Sequence, residues 1–170
     1  MKTSIRISLF AVVMMMTAMS FTLLPLWPTW SSSHGYSIKF PGGPTSITPK
    51  VSAGLLAGEI VIHQAPGMPV FKVDYEKKRG GPYTTVANVI IDKVNKYATA
   101  NGGTVTWITP GVILWKGCQS REATVQNTSG FRANIKVAIL GDECWLLIAE
   151  NNGALAPAAD WTQFINSFQH

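Results

Sequence analysis

The chain has 170 residues, with 14 basic and 9 acidic side chains, and its formal net charge is +5. This length suits one domain plus an export segment, and the 2 cysteines exclude a disulfide-dense scaffold. The 15 glycines and 10 prolines show no period, which excludes collagen and favours a turn-rich β or α+β domain. The positive excess is too small to indicate a nucleic-acid partner, and none is expected.

The first elements of the chain are a positive start and a long apolar run. Residues 7–27 contain no charged side chain, and Lys2 and Arg6 precede them. This order is typical of a segment that directs export across the cytoplasmic membrane. The domain that follows is therefore expected on the outer side of that membrane.

Two outcomes of export are open at this stage. The small residues Ala18 and Ser20 have the spacing for cleavage after Ser20, which would release a secreted or periplasmic protein. The whole run 7–27 is also long enough to span a bilayer as an uncleaved anchor, with Trp27 and Trp30 at the membrane boundary. The expected organisation is a signal peptide or anchor over 1–27, a linker over 28–34 and a domain over 35–170.

The first part of the domain alternates apolar and polar residues and then changes period. Phe71, Val73 and Tyr75 alternate with charged residues, as in a half-buried antiparallel strand. Apolar residues then recur at helical spacing up to Asn101. The predicted elements are strands over 36–40, 59–64 and 70–76 and a helix over 83–100.

The second part of the domain predicts a meander and a closing helix. Phe131 to Leu140 has the clearest alternation in the chain, with Ile135 and Val137 inward and Lys136 outward. The predicted elements are strands over 104–108, 118–126, 131–140 and 144–150 and a helix over 158–168. Together they predict an α+β fold in which one antiparallel sheet is sandwiched by two helices, an α/β/α arrangement. The expected core is Val86, Ile90, Val94, Phe131, Ile135, Val137, Trp161, Phe164 and Phe168.

Four short motifs carry a family resemblance. They are the segment YSIKFPGGP over Tyr36–Pro44, the strand Phe71–Tyr75, the step Leu114–Glu122 with Gly117 and Arg121, and the closing segment Trp161–Phe168. In this order they resemble the PsbP-like (PsbP/Mog-type) α/β/α sandwich, including small exported bacterial proteins of that fold. The resemblance implies an accessory role through binding of partner proteins or membrane complexes, and it implies no catalytic residue.

The search for catalytic and cofactor chemistry finds no established motif. His34, His63 and His170 form none of the usual zinc-binding spacings, and no phosphate-binding or nucleophile motif is present, so no metal, cofactor or catalytic residue is predicted. The predicted function is a non-enzymatic, membrane-tethered accessory domain that contacts an envelope protein. The alternatives are a small-ligand or lipid carrier, with a pocket lined by Tyr97 or Trp107, and a hydrolase with an unrecognised site.

The candidate partner-binding patch combines one tryptophan with the densest basic run. Trp115 lies in a predicted loop over 111–117, and the run is Lys77, Lys78 and Arg79. Short charged runs are more often solvated loops than sites.

A disulfide between Cys118 and Cys144 is open, because export favours oxidation. In a simple meander the two cysteines would start strands separated by the middle strand, about 9–10 Å apart. That spacing exceeds the reach of a disulfide.

Overall fold

The computed structural model describes residues 26–170, of which 45% lie in strands and 17% in helices. The predicted export segment lies outside the described residues except for Leu26 and Trp27. In the described part, no helix is long and apolar enough to cross a membrane. The elements are β1 Thr29–Ser31, β2 Ser37–Lys39, β3 Ser46–Pro49, β4 Leu55–His63, β5 Val70–Lys78, α1 Val86–Ala100, β6 Thr104–Trp107, β7 Ile113–Trp115, β8 Cys118–Gln126, β9 Phe131–Leu140, β10 Glu143–Asn152 and α2 Ala158–Ser167.

One eight-stranded antiparallel sheet dominates the fold. Its order is β3-β4-β5-β10-β9-β8-β6, and β7 pairs with β8 along the same outer edge as β6. The hairpin β4–β5 and the meander β8–β9–β10 are the pairings that the alternation predicts. A two-residue turn at Lys116 and Gly117 joins β7 to β8, with φ angles of 49° and 79° that suit a primed hairpin turn. The two strands β1 and β2 form a separate small sheet.

The aromatic face of the sheet is the side that carries Phe71 and Tyr75 of β5 and Trp145 of β10. It is covered by the β1–β2 pair and by α2, whose Phe164 ring lies 5.1 Å from Phe71 and 5.7 Å from Phe40. These rings are buried and touch one another in tilted and edge-on pairs, the arrangement that aromatic rings prefer. The face is therefore closed by side chains from both ends of the domain.

The helix-side face is the opposite side of the same sheet. Ile90 and Val94 of α1 pack on it against Ile135 and Val137 of β9. The helix lies mainly over β6, β8 and β9. Where β4 and β5 continue beyond it, the face carries the charged side chains Lys72, Asp74 and Glu76.

The predicted α/β/α sandwich is wrong, because the fold is mostly antiparallel β-sheet. A helical layer would need helices across both faces. Instead, α1 covers only part of its face, and the aromatic face is covered partly by the small sheet β1–β2. Short strands that the sequence pattern leaves out, β3 and β7, extend the sheet at both edges.

Residues 27–34 belong to the fold. Trp27, expected at a membrane boundary, is buried with its ring 5.2 Å from Phe71. Trp30 packs on Tyr36 and Phe40 in the same core. Residues 28–34, expected as a linker, contribute β1 to the small sheet.

The core prediction is confirmed at seven of its nine positions, whereas Val86 and Phe131 are only half-buried. Ile135 and Val137 are buried, as the register requires. Lys136 between them is buried too, at 4% exposure, so β9 is covered on both faces.

Candidate functional site

Trp115 is packed into the domain edge. Its ring stacks on Phe168 with 5.6 Å between ring centres, and Lys136 Nζ lies 4.6 Å from the ring centre on the buried side. Its strand β7 is separated from β5 by β8, β9 and β10. At about 4.8 Å per strand, Trp115 and the basic run that begins at Lys77 lie about 19 Å apart, so they do not form one patch.

The basic run lies at the other end of this row of strands and is partly neutralised. Lys77 Nζ lies 3.5 Å from a carboxylate oxygen of Glu143, and Lys78 Nζ lies 5.4 Å from the ring centre of Tyr83. Arg79 is exposed, and its backbone N–H donates to Gly54 O at 2.9 Å. The run is therefore the exposed corner of the sheet beside the β3–β4 turn.

The two cysteines lie on opposite faces of the sheet, and both are free and buried. Cys118 belongs to the aromatic core, whereas Cys144 packs on the helix side. Burial raises the pKa of Cys118 to about 11 and that of Cys144 to about 12, so both are thiols at neutral pH. The disulfide left open by the sequence is not formed, because the sheet separates the two side chains.

Glu122 and Lys136 form a buried ion pair on the aromatic face. Lys136 Nζ lies 3.2 Å from Glu122 Oε2, and Trp161 Nε1 donates to Glu122 Oε1 at 2.6 Å. Each carboxylate oxygen therefore accepts one hydrogen bond within the domain, which fixes the orientation of the group. The alternation of β9 predicts that Lys136 points outward and so does not predict this pair. Glu122 and Lys136 are nevertheless directly opposite each other in the β8–β9 pairing.

A second charged cluster borders α1 on the helix-side face. Glu76 pairs with Lys50 and Lys93, and Lys50 also donates to Asp74 Oδ1 at 2.8 Å. Burial alone would raise the pKa of Glu76, but the two lysine bonds outweigh it and lower the pKa. The cluster replaces apolar packing along the part of the sheet that α1 does not cover.

The edge segment, residues 108–114, runs from the end of β6 into β7 and exposes several apolar side chains. Arg121 holds it: its guanidinium carbon lies 3.8 Å from the ring centre of Trp107, and it donates to Thr109 O at 3.1 Å and Pro110 O at 3.2 Å. The segment is thus fixed in place while its own apolar side chains stay outside the core. The exposed ones are Ile108, Val112, Ile113 and Leu114.

A cleft lies at the end of the sheet that the β4–β5 turn forms. Its volume is about 490 Å³. The turn between β4 and β5, the ends of β5 and β10 and the start of β9 line it, and Glu150 is its charged residue. Tyr97 of α1 reaches Glu150 from behind, donating to Oε1 at 2.7 Å. Trp107, the other residue expected near a pocket, packs on Arg121 instead.

Within residues 26–170, no group of three metal-binding side chains comes together. His63 is buried in β4, where Nδ1 lies 2.5 Å from Gly43 O. Cys118 is in β8, four strands away from β4 across the sheet. His63 therefore does not pair with this cysteine as a base.

Comparison with known proteins gives no family. No family model and no curated protein matches the chain. A solved structure from Bacteroides thetaiotaomicron VPI-5482, at 1.50 Å resolution, is similar over 83% of this chain with 9% identity and a TM-score of 0.44. The chain spans about half, 47%, of that protein. A similarity at this level carries no argument about function.

Proposed function

We propose that the chain is an exported, non-enzymatic accessory domain that binds a partner protein through the edge segment. The observation that carries the proposal is the exposed apolar group at residues 108–114, where Leu114 is 76% exposed and Ile108 56% exposed. Single exposed apolar residues are ordinary, but four within seven consecutive residues of one sheet edge are a concentration typical of interaction sites, with Ile113 and Leu114 on the two sides of β7.

The fixed geometry of the segment favours a docking role. Arg121 stacks on Trp107 and bonds two carbonyls of the segment, and Thr109 Oγ1 accepts from the Glu122 N–H at 3.0 Å. A segment that is already ordered loses less conformational entropy when a partner binds. The flanking strands β6 and β7 are short edge strands, so a partner would contact side chains more than a free backbone edge.

The position of the segment favours a protein over the membrane surface. The proposed N-terminal anchor would join the domain at Trp27, which packs beside Phe71. The strands β6 and β7 that carry the segment are separated from β5, the strand of Phe71, by β8, β9 and β10. At about 4.8 Å per strand, the segment therefore stands about 19 Å across the sheet from the point of attachment.

The charged clusters of the domain support a binding role over hydrolysis. The buried Glu76 and the half-buried Glu122 both have lysine partners within the domain. Catalytic acids and bases need an open position for a substrate proton. In Glu76 and Glu122, each carboxylate oxygen already accepts a hydrogen bond from a side chain of the domain.

Site-specific photocrosslinking in the native host tests the proposal. The full chain would carry p-benzoylphenylalanine in place of Leu114, and a matched chain would carry it in place of Leu56, which is 58% exposed at the β3–β4 turn. We expect one discrete protein adduct from position 114 and none from position 56. Adding Ile108→Ser and Ile113→Ser should abolish the adduct.

Three outcomes would contradict the proposal. One is the same adduct pattern from both positions, and another is an adduct of position 114 with lipid. The third is an adduct whose mass equals two copies of this chain, which would make the segment a homodimer interface.

A further inference from the structure

We propose that the cleft at the end of the sheet, beside the β4–β5 turn, binds a neutral saccharide. It is a site independent of the edge segment, at the opposite end of the sheet, and so goes beyond the docking function. Its volume of about 490 Å³ lies within the ~300–1,000 Å³ of ligand pockets. The cleft combines one carboxylate, side-chain amides and an apolar wall, lined by Gln64, Met68, Val70, Phe131, Glu150 and Asn152.

The carboxylate of Glu150 is oriented on one side and open on the other. Lys72 Nζ lies 2.6 Å from its Oε1, and Tyr97 OH donates to the same oxygen at 2.7 Å. Among residues 26–170, nothing donates to Oε2. A carboxylate held in this way presents one fixed acceptor to the cleft at no further cost of side-chain ordering.

The charge balance of the cleft selects a neutral ligand. Lys72 compensates the charge of Glu150, and the other lining side chains are uncharged. The pair has no net charge, so the cleft offers neither a cation nor an anion an uncompensated opposite charge. Neutral hydroxyl groups can donate to Oε2 without a change in net charge.

The remaining walls match the two kinds of surface on a sugar ring. Phe131 and Met68 offer apolar contact to its C–H face, and Tyr97 supports Phe131 from behind with 6.3 Å between ring centres. The amide groups of Gln64 and Asn152 make no hydrogen bond within the described residues. Each can both donate to and accept from hydroxyl groups.

The test uses the purified full chain in a detergent without a sugar headgroup. Calorimetric titration with maltotriose, cellotriose and chitotriose measures Kd, and titration with the trimers of glucosamine and galacturonic acid provides cationic and anionic probes. We expect at least one neutral trisaccharide to bind, and Glu150→Gln and Asn152→Ala each to raise its Kd about tenfold.

The chain supplies a matched control for Glu150. Glu143, at the other end of the same strand, also accepts a tyrosine hydroxyl, from Tyr75 at 2.8 Å, and also pairs with a lysine, Lys77. Glu143→Gln should therefore perturb the fold in a similar way and leave the Kd unchanged. Thermal unfolding of both variants measures that perturbation.

The proposal is overturned if no neutral trisaccharide binds at about 10 mM. It is also overturned if a charged trimer binds more tightly than every neutral one, or if Glu143→Gln weakens binding as much as Glu150→Gln. Because Asn152 is exposed, Asn152→Ala keeps the test valid should Glu150→Gln fail to fold. None of these results bears on crosslinking at Leu114, so the two proposals fail separately.

Discussion

The two faces of the sheet are covered by different kinds of side chain. On the aromatic face, rings from β5, β10, α2 and the two residues that flank β2 form one continuous cluster around Tyr36 and Trp145. On the helix-side face, apolar packing is concentrated beneath α1, and the β4–β5 part carries the ion pairs of Glu76 and Glu150. The aromatic face therefore consists mainly of packed rings that stabilise the fold. The helix-side face also carries charged side chains outside the area that α1 covers.

The same contrast appears along one strand. Glu143 and Glu150 of β10 both accept a tyrosine hydroxyl and pair with a lysine, but their side chains point to opposite faces. Burial and then the adjacent carboxylate raise the pKa of both tyrosines, Tyr75 and Tyr97, so both stay protonated donors. Glu150 lines the cleft beside the β4–β5 turn.

The largest expected effect of a substitution is on the aromatic face. Phe164→Ala removes a fully buried ring that packs on Phe40, Phe71 and Trp161. It should lower the free energy of unfolding by about 4 kcal/mol, against about 3 kcal/mol for Ile90→Ala beneath α1. Urea unfolding followed by tryptophan fluorescence measures both. Equal or reversed losses would contradict the view that the aromatic face contributes more.

The next effect concerns the buried ion pair on the same face. Lys136→Met leaves the Glu122 carboxylate without its cation and should cost about 3 kcal/mol. Adding Glu122→Gln removes the stranded charge and keeps an acceptor for Trp161, so the double variant should recover more than half of the loss. A Lys136→Met variant as stable as the native chain would show that the pair does not hold this part of the core.

The sequence predicts the meander well because β8, β9 and β10 are long. In β9, the alternation around Ile135 and Val137 fixes both faces, and the structure has the same register. The three-residue strands β1 and β7 are too short to show a period, which is why residues 28–34 and 111–117 are predicted as a linker and a loop.

The candidate sites were less predictable, because each depends on distant segments. The cleft joins the β4–β5 turn to the ends of β9 and β10, and only the sheet order brings these together. Trp115 is a prominent residue of its predicted loop, but the neighbours Ile113 and Leu114 are the exposed ones. Hydrophobicity alone does not predict which side chain of an edge strand packs against the core. In β7 it is Trp115, which stacks on Phe168.

A smaller effect is expected at the ion pairs of the helix-side face. Glu76→Gln should cost about 1.5 kcal/mol at pH 7, since hydrogen bonds from two charged lysines are lost. Because folding lowers the pKa of Glu76, its contribution is complete above the unfolded pKa of about 4.3 and is lost as the pH falls through the folded value. Urea unfolding between pH 7 and pH 3 should therefore show a shallower acid decline for Glu76→Gln.

The exposed pair of Asp92 and Lys96 on α1 provides the control for Glu76. Asp92→Asn should change the free energy of unfolding by less than about 0.5 kcal/mol. An acid decline that Glu76→Gln leaves as steep as in the native chain would mean that other carboxylates cause it.

The smallest effect is expected from reduction, and it tests the two-face arrangement directly. Because Cys118 and Cys144 lie on opposite faces and are free, a reductant should leave Tm unchanged. Alkylation of the native chain without reductant should be slow, since both thiols are buried and their raised pKa values leave little thiolate. After unfolding in the absence of reductant, mass spectrometry should find both cysteines labelled. An unlabelled chain together with a Tm that falls on reduction would reveal a disulfide. Such a bond requires both cysteine side chains on one face of the sheet. The register of β8, β9 and β10 places them on opposite faces.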